Sequence, residues 1–501
     1  MAQRELDNEM STSSSRPIRP PSYFDALAPL VVLALMITSS VALFGLDAIN
    51  GPIQVGLFLA AMVTSLIVSK NGHSWQAIGQ AGRQGVSSVV DAIFILFAVG
   101  ALIGAWNMSG TIPTLVYYGI LMIHPNWFYL ATILVCAIIS LGIGSSWTTA
   151  GTIGVGLVGL SVMVGVSPAI AAGAVISGCY VGEKMSPLSE TAILSAQITG
   201  SDTNTHLRQQ AWTSLPALAI AAILFAVLGF ADGVRGLGED VIASELRALN
   251  GLFWISPANL LPLLVLVVLS VLRTPAALAI MFSALCAALL APFTQPEAVL
   301  RFVVDPDAAP LGSPAIAFVK GGWLALANGY QANSVIPMVD ALLSRGGMSS
   351  MLTTVWLILG ALLFGTLLDE FGLMAKLITP VLNRAKSTGR LIATVVGTAF
   401  GLNLVSGDQY VAVVLPARLF RGEFERRGLA STNLSRAVCD AGSVTSPLIP
   451  WNSCGAYMAA VLGVPTLLYG PYCFFNILSP LLTLLLGFTG IKILKTLSPA
   501  P

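Results

Sequence analysis

GCYVGEKMSPLSETA at residues 178–192 and VCDAGSVTSPLIPWN at residues 438–452 are two copies of one pattern, 260 positions apart. Gly182 and Ser186-Pro187-Leu188 recur as Gly442 and Ser446-Pro447-Leu448. The same offset links Cys179 to Cys439 and Gly100-Ala101-Leu102 to Gly360-Ala361-Leu362. Each copy breaks an apolar stretch with proline, serine and acid where a continuous membrane helix would carry leucine. Duplicated halves with interrupted hydrophobic segments are the sequence sign of a secondary transporter whose site lies between the halves.

Composition fixes the surroundings. The 501 residues are 55% hydrophobic and only 9% charged, with 24 bases against 23 acids, and the mean hydropathy is +0.84. So few charges cannot cover a soluble globule, and the chain reads as an all-α polytopic membrane protein. Runs at 26–43, 53–68, 211–230, 260–272 and 276–291 are long enough, alone or slightly extended, to cross a hydrocarbon core of about 30 Å. Barrel strands would alternate, and these runs do not. A net charge of +1 without a basic stripe argues against nucleic acid as a partner.

Other chemistries lack parts. The six cysteines, Cys136, Cys179, Cys286, Cys439, Cys454 and Cys473, fall in apolar segments with no CxxC spacing and read as small buried residues. The only histidines, His73, His124 and His206, are expected in loops, which leaves no histidine-ligated metal centre and no serine-histidine enzyme. No GxxxxGK[ST] run supports ATP-driven transport. The chain is therefore not read as an enzyme, and no cofactor is expected beyond transported ions.

Residues 1–24 read as a disordered cytoplasmic tail, 25–230 as a first half with repeat 1, 231–312 as connecting loops and linker helices, 313–490 as repeat 2 and 491–501 as a C-terminal tail. Short loops rich in arginine and lysine mark the cytoplasmic side: the tail, 70–83, 384–390 and 418–436. Segments 232–247 and 294–310 hold more acids than bases and are expected to face outward. In repeat 1 the stretches near His124 and at 161–168 carry no base, whereas their counterparts in repeat 2 are the most basic loops of the chain. The two repeats are therefore expected to be inverted, in roughly ten to twelve transmembrane or re-entrant elements.

The segment 391–417 leaves one basic loop and returns to another in about 27 residues, too few for two crossings of roughly 20 each. A re-entrant hairpin with its tip at LNLVSGDQY, 402–410, resolves this, and its partner in repeat 1 spans 126–164 with a tip at 142–151. Irregular backbone at that depth is tolerated only where it lines a protein cavity.

Acids in apolar or glycine-rich surroundings are Asp91, Glu183, Glu190, Asp202, Asp369, Glu370, Asp408 and Asp440. Each carboxylate at the bilayer centre costs about 2.5–3.5 kcal/mol on insertion scales, so they demand a cation, a proton or a base. Four sit at the broken segments: Glu183, Glu190, Asp408 and Asp440. Na⁺ prefers carboxylate, hydroxyl and unwound carbonyl oxygens, and Asp408, Asp440 and Glu190 are its candidate ligands. Hydroxyl-rich tips add Ser145, Ser146, Thr148, Thr149, Ser186, Thr191, Ser406, Ser443, Thr445, Ser446 and Asn452, which suit an ion or the carboxylate of a small organic substrate. Plainer roles compete: Asp202 as a helix N-cap, Asp369 and Glu370 at a helix end, Asp408 paired with Arg418, and Glu183 paired with the adjacent Lys184.

GSSWTTAGTIG (144–154), SGCYVGEKMSPLSETAILSAQITGSDTNTHLR (177–208), SGDQYVAVVLPARLF (406–420) and GSVTSPLIPWNSCGAYMAAVLGVP (442–465), with GALIGAWNMSGTIPTLVYYG (100–119), resemble the NhaC-type sodium/proton antiporter family over most of residues 25–490. The resemblance implies a bacterial inner-membrane exchanger with a cytoplasmic N-terminus, exchanging Na⁺ for H⁺, or malate with sodium for lactate with protons. Carried over by position, its acids fall on Glu183, Glu190, Asp408 and Asp440. Here both acids of the first motif are glutamate rather than aspartate, Ile193 replaces an Asn, and Cys439 replaces a Glu. The expected partners are Na⁺, H⁺ and the lipid bilayer, with a small organic anion and a homodimeric second copy as further candidates. A sodium-coupled antiporter leads, with a coupled exchanger of organic anions or amino acids second and a passive channel third.

Overall fold

Apolar runs without internal caps can satisfy their backbone in lipid only as helices, and the computed structural model is built from them. It describes residues 17–87, 89–122, 124–233, 247, 249–303, 313–334, 340 and 343–496. The first 16 residues, most of 232–247 and part of 294–310, both expected to face outward, and the last five residues of the expected tail lie outside the described residues. The first half holds α1 (Tyr23–Phe44), α2 (Pro52–Lys70), α3 (Trp75–Ser87), α4 (Val90–Met108), α5 (Thr111–Met122) and α6 (Phe128–Ile143). It continues with α7 (Ser146–Met163), α8 (Pro168–Met185), α9 (Glu190–Thr199) and α10 (Thr203–Gly233). Linking helices are α11 (Leu261–Val271), α12 (Ala276–Thr294), α13 (Pro296–Val303) and α14 (Pro314–Asn328). The remainder forms α15 (Leu352–Glu370), α16 (Leu373–Arg384), α17 (Thr388–Ser406), α18 (Gln409–Arg426), α19 (Ser431–Val438), α20 (Ser453–Leu462), α21 (Thr466–Tyr469) and α22 (Phe474–Thr489).

Nine helices among the described residues are long and apolar enough to cross a bilayer, or ten if the pair bent by 91° at Ser453–Leu462 and Thr466–Tyr472 counts as one. No strand occurs among them beyond an isolated bridge between Leu429 and Lys495. The protein is a polytopic helical membrane protein, and large side chains such as Leu215, Ile223 and Val227 lie exposed along α10 as a lipid-facing stripe does. One expected crossing is shorter than anticipated. The run at 260–272 yields only the short apolar helix Pro257–Val271, closed by the Arg273-Thr274-Pro275 turn, because proline cannot continue it.

Contacts divide the chain into two units, Met1–Val89 with Leu359–Arg384, and Val90–Ile358 with Ala385–Pro501. In the first, Ser22 caps α1, and Asp25 of its first turn accepts from Lys70 at the end of α2, 2.9 Å away. The second unit holds both copies of the duplicated pattern.

There the same turn joins two helices at each expected tip, but α6 with its leading 3₁₀ turn, α7 and α17 are each long and apolar enough to cross a bilayer, longer than the re-entrant arms expected from the sequence. After α6 comes Gly144 in the left-handed region (φ 81°) and then extended Ser145 as the cap of α7. After α17 comes Gly407 (φ 66°) and then extended Asp408 as the cap of α18. A glycine at each tip avoids the Cβ clash of that conformation, and the next residue's side chain accepts from the helix it starts. The segments after the hairpins are both broken. α8 ends at Met185 with Ser186 as its C-cap, and α9 restarts from its cap Ser189. α19 passes into a π turn over Cys439–Ser443 and a 3₁₀ turn over Ser446–Leu448, and α20 restarts from its cap Asn452. A second π turn, Ala150–Gly154, lies within α7.

The duplicated glycines seat the broken segments on the hairpins. A Cβ on Gly182 would lie 2.1 Å from the Ser140 carbonyl carbon of α6, and one on Gly442 would lie 2.6 Å from the Ala412 carbonyl oxygen of α18. Both contacts are with backbone, which cannot swing away. Gly182→Ala and Gly442→Ala are each expected to destabilise the protein by about 1–3 kcal/mol, read as a lowered denaturation temperature in detergent. Gly397→Ala, with open space around its Cβ position, serves as the neutral control.

Candidate ion-binding site

Broken helices leave backbone groups without helical partners, and polar side chains here answer them. Asn403 Nδ2 donates to the Gly442 carbonyl at 2.6 Å and to Thr445 Oγ1 at 3.0 Å. Asn476 Nδ2 donates to the Val444 carbonyl at 2.7 Å. Asn452 caps the Cys454 amide at 3.0 Å and donates to Asn403 Oδ1 at 3.0 Å. Thr445 donates to Ala441, Ser406 to Leu402, Thr149 to the Ser145 carbonyl, and Ser186 Oγ accepts from the Leu188 amide. Ser145 accepts from both the amide and the hydroxyl of Thr148. Asn403 and Asn476 are not among the expected site residues; with the others, which are, they hold the irregular backbone in shape.

At the centre lies Glu183, buried at 6% exposure near the end of α8. Its carboxylate accepts from Ser146 at the start of α7 and from Gln409 Nε2 at the start of α18. Ser443 of the π turn donates to Oε1 at 3.2 Å, and Thr191 of α9 reaches it at 3.4 Å. Donors thus converge from both copies of the pattern. Gln409 extends the cluster, donating to Ser443 at 3.1 Å and accepting through Oε1 from Ser446 at 3.0 Å and Cys454 Sγ at 2.7 Å. The Ser446 hydroxyl also lies 3.3 Å from Tyr180. Trp147 stacks on Tyr457 at 4.1 Å, and the Tyr457 hydroxyl donates to the Trp147 carbonyl, which ties α7 to α20 beside the cluster.

Glu183 is not paired with its neighbour in sequence. Lys184 turns the other way and forms a fully buried ion pair with Asp440, while also donating to Thr213 at 3.0 Å. Adjacent residues on a helix point about 100° apart, so one position on α8 serves each acid. Thr483 of α22 donates to the other Asp440 oxygen. Asp408 is buried and caps α18 by accepting from the Val411 amide at 2.9 Å, and the Arg418 pair that was its plainer alternative is not formed among the described residues. Glu190 is exposed, with the Tyr410 hydroxyl at 3.4 Å. Among the described residues no three His, Cys, Asp or Glu side chains converge, so Asp408, Asp440 and Glu190 do not form one cluster.

One expectation is placed differently. His206 lies within α10, not in a loop, and is fully buried against Ser435. Asp202 does cap α10, accepting from the Thr205 amide at 2.9 Å, which holds its carboxyl below the usual range. Glu370 is the last residue of α15, as a helix-end acid should be. Gln409 was legible only as the neighbour of Asp408 in SGDQY; its position as the first residue of a capped helix was the signal that it faces the tip.

Comparison with known proteins agrees with this architecture. Residues 21–230, 178–304 and 312–491 match the profile of the Na⁺/H⁺ antiporter family. The chain is 35% identical to the Na⁺/H⁺ antiporter NhaC of Alkalihalophilus pseudofirmus over 94% of its own length and 96% of that protein's. It is 31% identical to the malate-2H⁺/Na⁺-lactate antiporter of Bacillus subtilis, covering 94% and 96%, and 32% identical to the arginine/ornithine antiporter ArcD of Halobacterium salinarum, covering 95% and 94%. Profile matches along most of the chain, and relatives above 30% identity across nearly their full length, make this chain a member of the NhaC-type Na⁺/H⁺ antiporter family, a transporter and not an enzyme.

Proposed function

We propose that the protein exchanges Na⁺ for H⁺ across the bacterial inner membrane by alternating access, with its N-terminus cytoplasmic, its two repeats inverted, and Glu183 as the carboxylate for which the two ions compete. The observation that carries this reading is the company Glu183 keeps. It is a buried acid whose contacts are hydroxyls and an amide, with no base within ion-pair distance among the described residues. A buried charge without a base needs a counter-ion or a proton. The hydroxyls of Ser146, Thr191 and Ser443 suit either state. They donate to a bare carboxylate, and on rotating they offer lone pairs to Na⁺.

The proposal gives the other acids different parts. Asp408 supplies a second buried carboxylate beside Gln409, and its cap holds the hairpin tip in place. Asp440, already matched by Lys184, maintains the local charge balance. Exchange of an organic anion or amino acid is the second reading, favoured by relatives of comparable identity that carry such names.

In proteoliposomes, an imposed sodium gradient is expected to move protons with no organic substrate present, read by an entrapped pH dye; sodium-dependent uptake of labelled malate, lactate or arginine in place of that signal selects the second reading. Glu183→Gln is expected to reduce the proton signal by about 100-fold or more while the protein inserts normally. Asp408→Asn keeps a capping side chain and removes the charge. Loss of exchange at an unchanged denaturation temperature is expected, and unaltered exchange would leave Asp408 a cap alone. Asp440→Asn strands Lys184 and is expected to cost about 3–5 kcal/mol in detergent denaturation, most of it regained in the Lys184→Met/Asp440→Leu double variant.

A further inference from the structure

The Lys184–Asp440 pair is not sealed on all sides. On α10, Thr213, Gln210 and His206 follow at helical spacing and are all buried. On α19 and its π turn, Asp440, Arg436 and Thr432 do the same. The two stripes face each other: the His206 Nδ1 lies 2.8 Å from Ser435 Oγ, and Arg436 Nη1 donates to Gln209 Oε1 at 3.3 Å. Lys184 donates to Thr213, Thr213 donates to the Gln210 carbonyl, and Gln210 lies 3.5 Å from His206 Nε2. At the far end Ser201 donates to Ser431 at 2.9 Å, where both helices begin and the residues are no longer buried.

This interface is also unusual in what it leaves unmet. Gln210 Oε1, Ser214 Oγ, Thr432 Oγ1, and Arg436 Nε and Nη2 are buried without a hydrogen-bond partner in the protein. Buried polar groups are ordinarily satisfied, and a run of orphaned donors and acceptors along one seam is the condition under which internal water is held.

We propose that the seam between α10 and α19, from Ser201 and Ser431 past His206 and Gln210 to Lys184–Asp440, is a water-bearing path by which protons reach the buried site from one face of the membrane. Ser443, which donates to Glu183, lies one turn beyond Asp440 on the same chain segment, so the path ends beside the exchanging acid. Arg436 and Lys184 place two fixed cations along it against one acid. A relayed proton carries the same unit charge past them, but it passes by exchange between hydrogen-bonded oxygens and nitrogens, whereas Na⁺ would need room for a whole ion with its shell of oxygen ligands. The seam thus gives the two ions separate routes to one carboxylate, and the inference rests on the exchange reading above.

Two measurements test it. Hydroxyl-radical footprinting of the full chain oxidises side chains beside water. After correction for intrinsic reactivity, His206 is expected to label about tenfold faster than the equally buried Phe225 and Tyr457. Labelling no faster than those two overturns the proposal. The double variant His206→Phe/Gln210→Leu fills and dries the seam. Sodium-driven proton movement should fall about tenfold or more while Na⁺ affinity, measured in detergent, stays within about twofold. Exchange at the unaltered rate in the dried variant also overturns it. If the unaltered protein moves no protons on a sodium gradient, the exchange reading fails, and footprinting still decides whether the seam holds water.

Discussion

A carboxylate can stay inside a membrane protein only if something answers its charge, and at Glu183 that something is a ring of neutral donors gathered from distant parts of the chain. Thr191 and Ser443 come from the two copies of the duplicated pattern, and Ser146 and Gln409 from the helix starts that precede each copy. None of these elements can shift alone. The start of α7, the break after α8, the start of α18 and the π turn after α19 must all end at one point. The hairpins and breaks are the means of bringing four chain ends to that point, since continuous helices would carry every polar group past it.

The irregular segments are expensive in lipid, and their cost is met within the protein. Asn403, Asn452 and Asn476 satisfy carbonyls or amides that the breaks release, and Ser145, Ser189 and Asp408 cap the restarted helices. Gly182 and Gly442 let the broken segments rest directly on hairpin backbone. The copies share this scaffold but differ in charge. The first leaves Glu183 to neutral donors, whereas the second sets Asp440 against Lys184. Two similar breaks thus carry different charge arrangements.

Much of this was readable in the residues. The αL glycines at 144 and 407 fall inside the two stretches expected to form hairpin tips, because glycine before a small capping residue signals a turn that starts a helix. The SPL breaks fall where the duplicated motif predicts them. Other features were not readable. Lys184 stands beside Glu183 in sequence yet pairs with Asp440, and His206 sits in a polar stretch that looks like a loop yet forms the buried face of α10. Local sequence states which groups need partners; the rotation of each helix against its neighbours selects them.

The sequence by itself determined that the chain lives in a bilayer, that it is duplicated, and where its helices break. Those are local consequences of hydropathy, proline and glycine. Only the tertiary structure decided that Gln409, rather than Asp408 or Asp440, reaches Glu183, and that the one buried lysine serves the second copy rather than the first. The physical reason is geometric. A carboxylate and its donors, 226 residues apart in the case of Glu183 and Gln409, meet only when both hairpins have packed, and no periodicity in the chain encodes that meeting.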